Sequence, residues 1–168
     1  MAEIIKIYKE SLPSLRLIGK SYTDRDRGPE GSFSSKWGEW FQKGYFEALE
    51  QLGSLPENEG AYLGCMRCAG EFEYWIGMFF PAHTPVPDGY GYVDIPEGNI
   101  ATCWIYGGED NGEIYGEKAH DMCLSKIKES GWQLAEEPWF IERYNCPRFT
   151  TPDENGKVIL DYCVYIKD

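Results

Sequence analysis

One carboxylate in this chain stands where carboxylates are costly. Glu142 lies in Trp-Phe-Ile-Glu-Arg-Tyr (139–144), a run that is otherwise apolar and rich in rings. Read as a strand, alternation puts Phe140, Glu142 and Tyr144 on one face. A carboxylate on a buried aromatic face costs several kcal/mol unless it is paired or protonated. Such a group is useful where it meets a ligand cation or works as an acid or base. The plainer alternative is a salt bridge, with Arg143 or Lys20 as partner.

A second set of rings lies earlier in the same half. Along residues 100–106, Thr102, Trp104 and Tyr106 alternate with Ala101, Cys103 and Ile105. The smaller set suits a face crossed by a helix, which sends Trp104 and Tyr106 to the opposite side, expected to be a cleft. Rings there stack on flat ligands or hold a cation over their faces; plain core filling is the competing expectation. Tyr22 ends the matching strand of the first half. Trp37 stands in the first turn of a helix, on its apolar stripe yet able to rim a pocket. The expected ligand site is therefore Tyr22, Trp37, Trp104, Tyr106, Phe140, Glu142 and Tyr144.

Other chemistries find less material. Cys65-Met-Arg-Cys68 has the spacing of half a zinc site, but no second Cys/His pair follows at usable distance, and His83 and His120 stand alone. Gly107 to Gly112 lacks the lysine of a phosphate loop and the ligand alternation of a calcium loop. No nucleophile elbow or Ser/His pairing is visible. Neither metal nor cofactor is expected.

The elements that must position these residues follow from periodicity. Strands are predicted at Leu15 to Tyr22, Tyr62 to Cys68, Phe72 to Phe80, Ile100 to Tyr106, Trp139 to Asn145 and Val158 to Lys167, with an N-terminal arm at Met1 to Glu10. Trp37, Trp40, Phe41, Gly44, Tyr45, Ala48, Leu49 and Leu52 recur at helical steps, predicting one amphipathic helix capped by Ser34 or Ser35 and stopped by Gly53. Tyr115, Ala119, Met122, Cys123 and Ile127 predict another, with Asp110 and Glu113 at capping-box spacing and Gly131 as its stop. Turns are expected at Pro56 to Gly60 and at Asn155-Gly156.

Each half thus reads strand, helix, strand, strand. The expectation is an α+β fold of tandem duplicated βαββ modules, residues 1–80 and 92–168, joined by a Pro-rich connector at 81–91. Their antiparallel sheets would enclose a central ligand cleft.

Composition narrows the partners. The 168 residues carry a net charge of −12 and a pI near 4.6, which argues against direct nucleic-acid binding and favours cations, unless acidity serves solubility alone. No leader and no apolar run of membrane length is present, so a soluble cytoplasmic chain with reduced cysteines is expected.

Taken with these features, the chain resembles the GyrI-like small-molecule-binding family, related to the effector-binding domains of AraC- and MerR-type regulators. The resemblance is carried by Ser34-Ser-Lys-Trp37-Gly-Glu-Trp-Phe41, Tyr74-Trp-Ile-Gly77, Ile95-Pro96-Glu-Gly98-Asn-Ile-Ala, Phe140-Ile-Glu142-Arg-Tyr144 and Tyr162-Cys-Val-Tyr-Ile166. It implies tandem βαββ modules that hold cationic lipophilic compounds between them by aromatic rings; with no room before Leu15 or after Asp168 for the helix-turn-helix segment regulators carry, a stand-alone domain is expected. Glu142 matches the family's central acidic residue. The ending Tyr165-Ile-Lys-Asp departs from the usual Ile-Pro-Ile. Some relatives are similar to hydrolases that open reactive cyclopropane-bearing toxins. The alternative function is therefore hydrolysis, with Glu142 as general base and Tyr106 or Tyr144 as proton donor. A pure interaction module is the third possibility. The sequence leaves the oligomeric state open.

Overall fold

The computed structural model describes residues 1–29, 31–53, 60–110 and 112–168. Its strands are β1 (Glu3–Leu12), β2 (Leu15–Tyr22), β3 (Tyr62–Ala69), β4 (Glu71–Pro81), β5 (Gly91–Ile95), β6 (Gly98–Gly108), β7 (Phe140–Tyr144) and β8 (Lys157–Ile166). The helices are α1 (Ser34–Gln42), α2 (Tyr45–Glu50) and α3 (Gly116–Glu129). All strands join one antiparallel sheet in the order β1-β6-β8-β7-β3-β4-β2-β5. The α+β class with antiparallel pairing is as the sequence predicts. The terminal arms cross over: β1 pairs with β6, and β5, which follows the 81–91 segment, returns to pair with β2.

Helices lie on one face of the sheet. Under α1 and α2, Trp40, Phe46 and Leu49 pack on Ile18, Tyr74, Ile76, Met78 and Phe80. Under α3, Ala119, Cys123 and Ile127 pack on Ala101, Cys103, Ile105, Leu160 and Val164. These two cores centre on the outer strands, leaving the central pair β7 and β3 between them. The other face closes on itself: Leu17 and Ile95 share a cluster with Ile100, Cys163 and Tyr165, although β2 and β6 are far apart in strand order. Only a strongly curled sheet brings them together. Gly19 and Gly77 oppose each other near the curl, and a Cβ on Gly19 would lie 1.9 Å from the Ile76 carbonyl.

Three local expectations are corrected. The single helix through Leu52 is broken in two, because Gly44 adopts φ 68°, a left-handed conformation that a right-handed helix cannot continue. Neither Ser34 nor Ser35 caps α1: both lie inside it, and Phe33 stands at the cap without a side-chain bond, held by stacking on Tyr74 at 4.3 Å. Asp110 does not cap α3, which begins at Gly116 behind Tyr115; Glu113 instead accepts from the Gly108 amide at 2.7 Å. The stops and turn fare better. Gly131 follows α3 at φ 80°, and Gly156 turns into β8 at φ 72°. Apart from Gly60, the turn at Pro56 to Gly60 lies outside the described residues.

Candidate functional site

Between the helices, β3 and β7 present a line of half-buried side chains: Tyr62 and Met66 on one strand, Phe140, Glu142 and Tyr144 on the other. The helices cover this strip only in part, with Tyr62 stacked on Phe46 of α2 at 3.8 Å, and the strip between them is the candidate groove. Trp37 reaches in from α1 and meets the Tyr144 ring edge-on at 5.0 Å. From α3, His120 lies against Phe140 at 4.9 Å.

Glu142 forms the floor. It pairs in register with Gly64 on one side and Tyr162 on the other. Gly64 has a steric reason to lack a side chain. A Cβ there would lie 2.5 Å from both Glu142 Oε1 and the Tyr74 hydroxyl, and 3.2 Å from the Trp37 ring. Into that space the Tyr74 hydroxyl donates to Glu142 Oε1 at 2.8 Å, while Trp37 Nε1 donates to the same hydroxyl at 2.9 Å. Among the described residues no cation forms a salt bridge with Glu142. Both expected partners are engaged elsewhere: Arg143 bonds Asp161 on the opposite face, and Lys20 donates to the Gly89 carbonyl.

The electrostatics follow from this enclosure. Burial pushes the Glu142 carboxyl up to about 7, against the opposing pull of hydrogen bonds from Tyr74 and Tyr144. Burial, and then the Glu142 charge, hold the Tyr74 and Tyr144 phenols well above their ordinary range, so both remain protonated donors. A carboxyl with a pKa near neutrality, bonded only by phenols, exchanges a proton readily and still has an unmet demand for positive charge.

Of the residues expected from sequence, the fold brings together Trp37, Phe140, Glu142 and Tyr144. Tyr22 is on the same face but lies under α1, where its hydroxyl accepts from Trp40 Nε1 at 2.9 Å. It is three strands from β7, a lateral distance of about 14 Å. Trp104 and Tyr106 do lie opposite the helix-covered residues of their strand, as alternation predicts. The groove, however, is on the helix side, so the sheet separates these two rings from Glu142. Trp104 packs there against Tyr8 and the Arg148 guanidinium, and Tyr106 bonds Asp153. Cys65 and Cys68 point to opposite sides of β3, one buried and one exposed.

Sequence reasoning missed Gly64, Tyr74, Tyr162 and His120. A glycine inside an aromatic strand is a sign of close approach, and Gly64 carried that sign. His120 is no isolated residue, since its Nδ1 lies 2.5 Å from the Tyr162 hydroxyl. A depression of about 420 Å³ adjoins the groove, lined by Glu50, Tyr62, Met78, Tyr144, Cys146 and Thr150. It opens beside Tyr144, and Glu142 is not among the residues that line it.

No protein-family model matches the sequence, and no curated protein matches it. Solved structures match its fold along nearly the whole chain. SAV2435 bound to tetraphenylphosphonium is similar with a TM-score of 0.72 at 17% identity, covering 97% of this chain and 94% of that one. A protein of Staphylococcus aureus MU50 assigned to bacterial transcription regulation gives 0.69 at 17% identity, covering 97% and 99%. The C-terminal domain of EcmrR gives 0.59 at 12% identity, covering 97% and 98%. The chain thus has the fold of bacterial transcription-regulator effector-binding domains, as the resemblance implies.

Proposed function

We propose that the protein binds small organic cations of planar or lipophilic character in the groove between α1 and α3. The observation that carries this is Glu142, a carboxyl enclosed by Trp37, Tyr74 and Tyr144 with no cation of the described residues paired to it. A ligand cation would supply the missing charge while the rings cover its apolar body. A desolvated cation–π contact contributes about 2 kcal/mol, so a few rings and a carboxylate suffice for micromolar affinity. A neighbour of the same fold is bound to tetraphenylphosphonium, a lipophilic cation, which supports the same ligand class here. Net charge −12 draws such ligands in.

Duplication of a βαββ module accounts for where the groove lies. On one side of the centre the order β3-β4-β2 repeats β7-β8-β6 on the other, each with its helical segment between the first and second strands in chain order. The groove runs along the junction, and the exchanged arms β1 and β5 lock the two units into one domain.

Tetraphenylphosphonium and neutral triphenylphosphine oxide, titrated by calorimetry, test the charge. Glu142→Gln is expected to weaken the cation tenfold or more and the neutral compound by little. Equal loss for both sinks charge recognition.

The carboxyl at about 7 also favours a second reading. A base poised at neutral pH suits water activation, with Tyr144 or Tyr74 as proton donor for opening a strained electrophile. Tyr106 has no part in it, being on the far side of the sheet. Turnover of a cyclopropane-bearing substrate that disappears in Glu142→Gln separates catalysis from binding; stoichiometric protection without product rejects it.

A further inference from the structure

Resting on the cation-binding reading above, we propose that the Tyr162–His120 pair is a specificity element that selects cations bearing N–H donors over quaternary ones. The observation is two hydroxyls, those of Tyr74 and Tyr162, each engaged with a ring nitrogen beside one carboxylate.

Tyr162 is the register partner of Glu142 on β8. Cross-strand partners on one face lie about 5 Å apart at Cα, so the phenol stands beside the carboxylate. Its hydroxyl lies 2.5 Å from His120 Nδ1. Burial lowers the His120 pKa, which keeps the imidazole neutral. Burial first, and then the Glu142 charge, raise the Tyr162 phenol above its ordinary range, which keeps its proton. Between a neutral imidazole and a protonated phenol, the phenol is the stronger acid and the ring nitrogen the stronger base. The hydroxyl therefore donates to Nδ1 and keeps lone pairs to accept with; Tyr162 shares the Glu142 face of the sheet and is 5% exposed.

Tyr74 is committed in the same way. It donates to Glu142 and accepts from Trp37. With Glu142 ionised, Tyr74 and Tyr144 both spend their protons on it, and what is left on the floor and the α3 wall is acceptors: the remaining carboxylate lone pairs and the Tyr162 oxygen. A protonated amine or amidinium satisfies both through N–H groups. A quaternary ammonium or phosphonium satisfies neither by hydrogen bonding, and a buried acceptor without a donor is destabilising. Shape and rings govern whether a cation enters; the pair governs which kind stays.

A matched pair of ligands tests this: 4-phenylbenzylamine, protonated and carrying three N–H groups, and 4-phenylbenzyltrimethylammonium, which carries none. Calorimetry at about pH 8 is expected to show the amine bound about tenfold tighter by the wild-type protein, the size of one charge-assisted hydrogen bond. Tyr162→Phe, which keeps the ring, should lower the ratio several-fold, because one of the two acceptors is gone. His120→Ala should also lower the ratio, by releasing the hydroxyl to rotate. Equal affinities in the wild-type protein overturn the proposal without need of any variant, as does a ratio that survives Tyr162→Phe. If neither ligand binds, or if both bind and Glu142→Gln changes nothing, the cation reading itself has failed and this one with it.

Discussion

Two carboxylates lie near the centre of the sheet, on adjacent strands and opposite faces, and they are treated in opposite ways. Asp161 on β8 is fully buried and surrounded by donors. Arg143 reaches its Oδ2 from Nε at 3.1 Å and from Nη2 at 3.0 Å, Asn145 donates at 3.0 Å, and Arg148 adds bonds of 2.9 and 2.6 Å. Arg143 extends further to Glu10 on β1 at 2.7 Å, tying the crossed-over arm to the centre. Glu142 on β7 has phenols around it and no such cation. Glu142 and Arg143 are neighbours in the chain, and strand alternation alone keeps them apart. A buried charge answered by two guanidiniums holds a fold together; one answered by phenols is the charge that the proposed ligand cation would complete.

The comparison is broken most severely at its compensated half. Asp161→Asn leaves Arg143 and Arg148 with far less to neutralise them, and removing one partner of a buried ion pair costs about 3–5 kcal/mol. Urea unfolding at neutral pH should show a loss of that size. A loss below 1 kcal/mol would mean that the cluster is ornamental.

Gly64→Ala comes next and acts on the other face. Its methyl would lie 2.5 Å from Glu142 Oε1 and the Tyr74 hydroxyl, so the carboxyl must move or the strands part. Overpacking of this kind costs about 1–3 kcal/mol. The expected signature is weakened cation binding together with a lowered melting temperature; unchanged values of both would show that the floor has spare room.

Glu142→Gln sharpens the contrast through pH. The carboxyl titrates at about 7 in the fold against an ordinary 4.5, so the folded state binds the proton more tightly than the unfolded chain. The stability this gives is complete below about 4.5 and is lost as pH rises through about 7. The glutamine variant escapes that loss. Relative to the wild-type protein it should gain on the order of 2 kcal/mol between pH 5 and pH 8, read from denaturant midpoints. A flat difference across that range would contradict the raised pKa.

How much of this was legible beforehand divides along the same line. Alternation in 139–144 suffices to pick out Glu142 and to place Phe140 and Tyr144 beside it, because parity in a strand is a local property. The strands were legible for the same reason, from aromatic and β-branched runs between Gly and Pro. Strand order is not local. Nothing in residues 62–69 announces that they pair with 140–144, and that pairing is what puts Gly64 under the carboxyl and Tyr74 within reach of it. Nor did the sequence tell that Trp104 and Tyr106 stand on the opposite face from Glu142. Ala101 and Cys103 do mark the face covered by α3, but a helix over outer strands leaves the central ones open, so the groove shares its face with the helices. The break at Gly44 was hidden because the apolar period runs through it unchanged.

The smallest expected effect comes from the rings on the wrong side. Trp104 packs with Tyr8 and beneath Arg148, and Tyr106 bonds Asp153 at an exposed turn. Tyr106→Phe removes one exposed hydrogen bond and nothing near Glu142, so stability should stay within about 0.5 kcal/mol and cation affinity should not change. Trp104→Phe keeps an aromatic ring over the arm and should behave alike in binding. Tryptophan emission gives a direct control, since a ligand in the groove reaches Trp37 and not Trp104. Trp37→Phe should therefore abolish most of the ligand-induced quenching, while Trp104→Phe leaves it in place. Quenching that disappears with Trp104 instead would move the ligand to the other face of the sheet and remove Glu142 from the site.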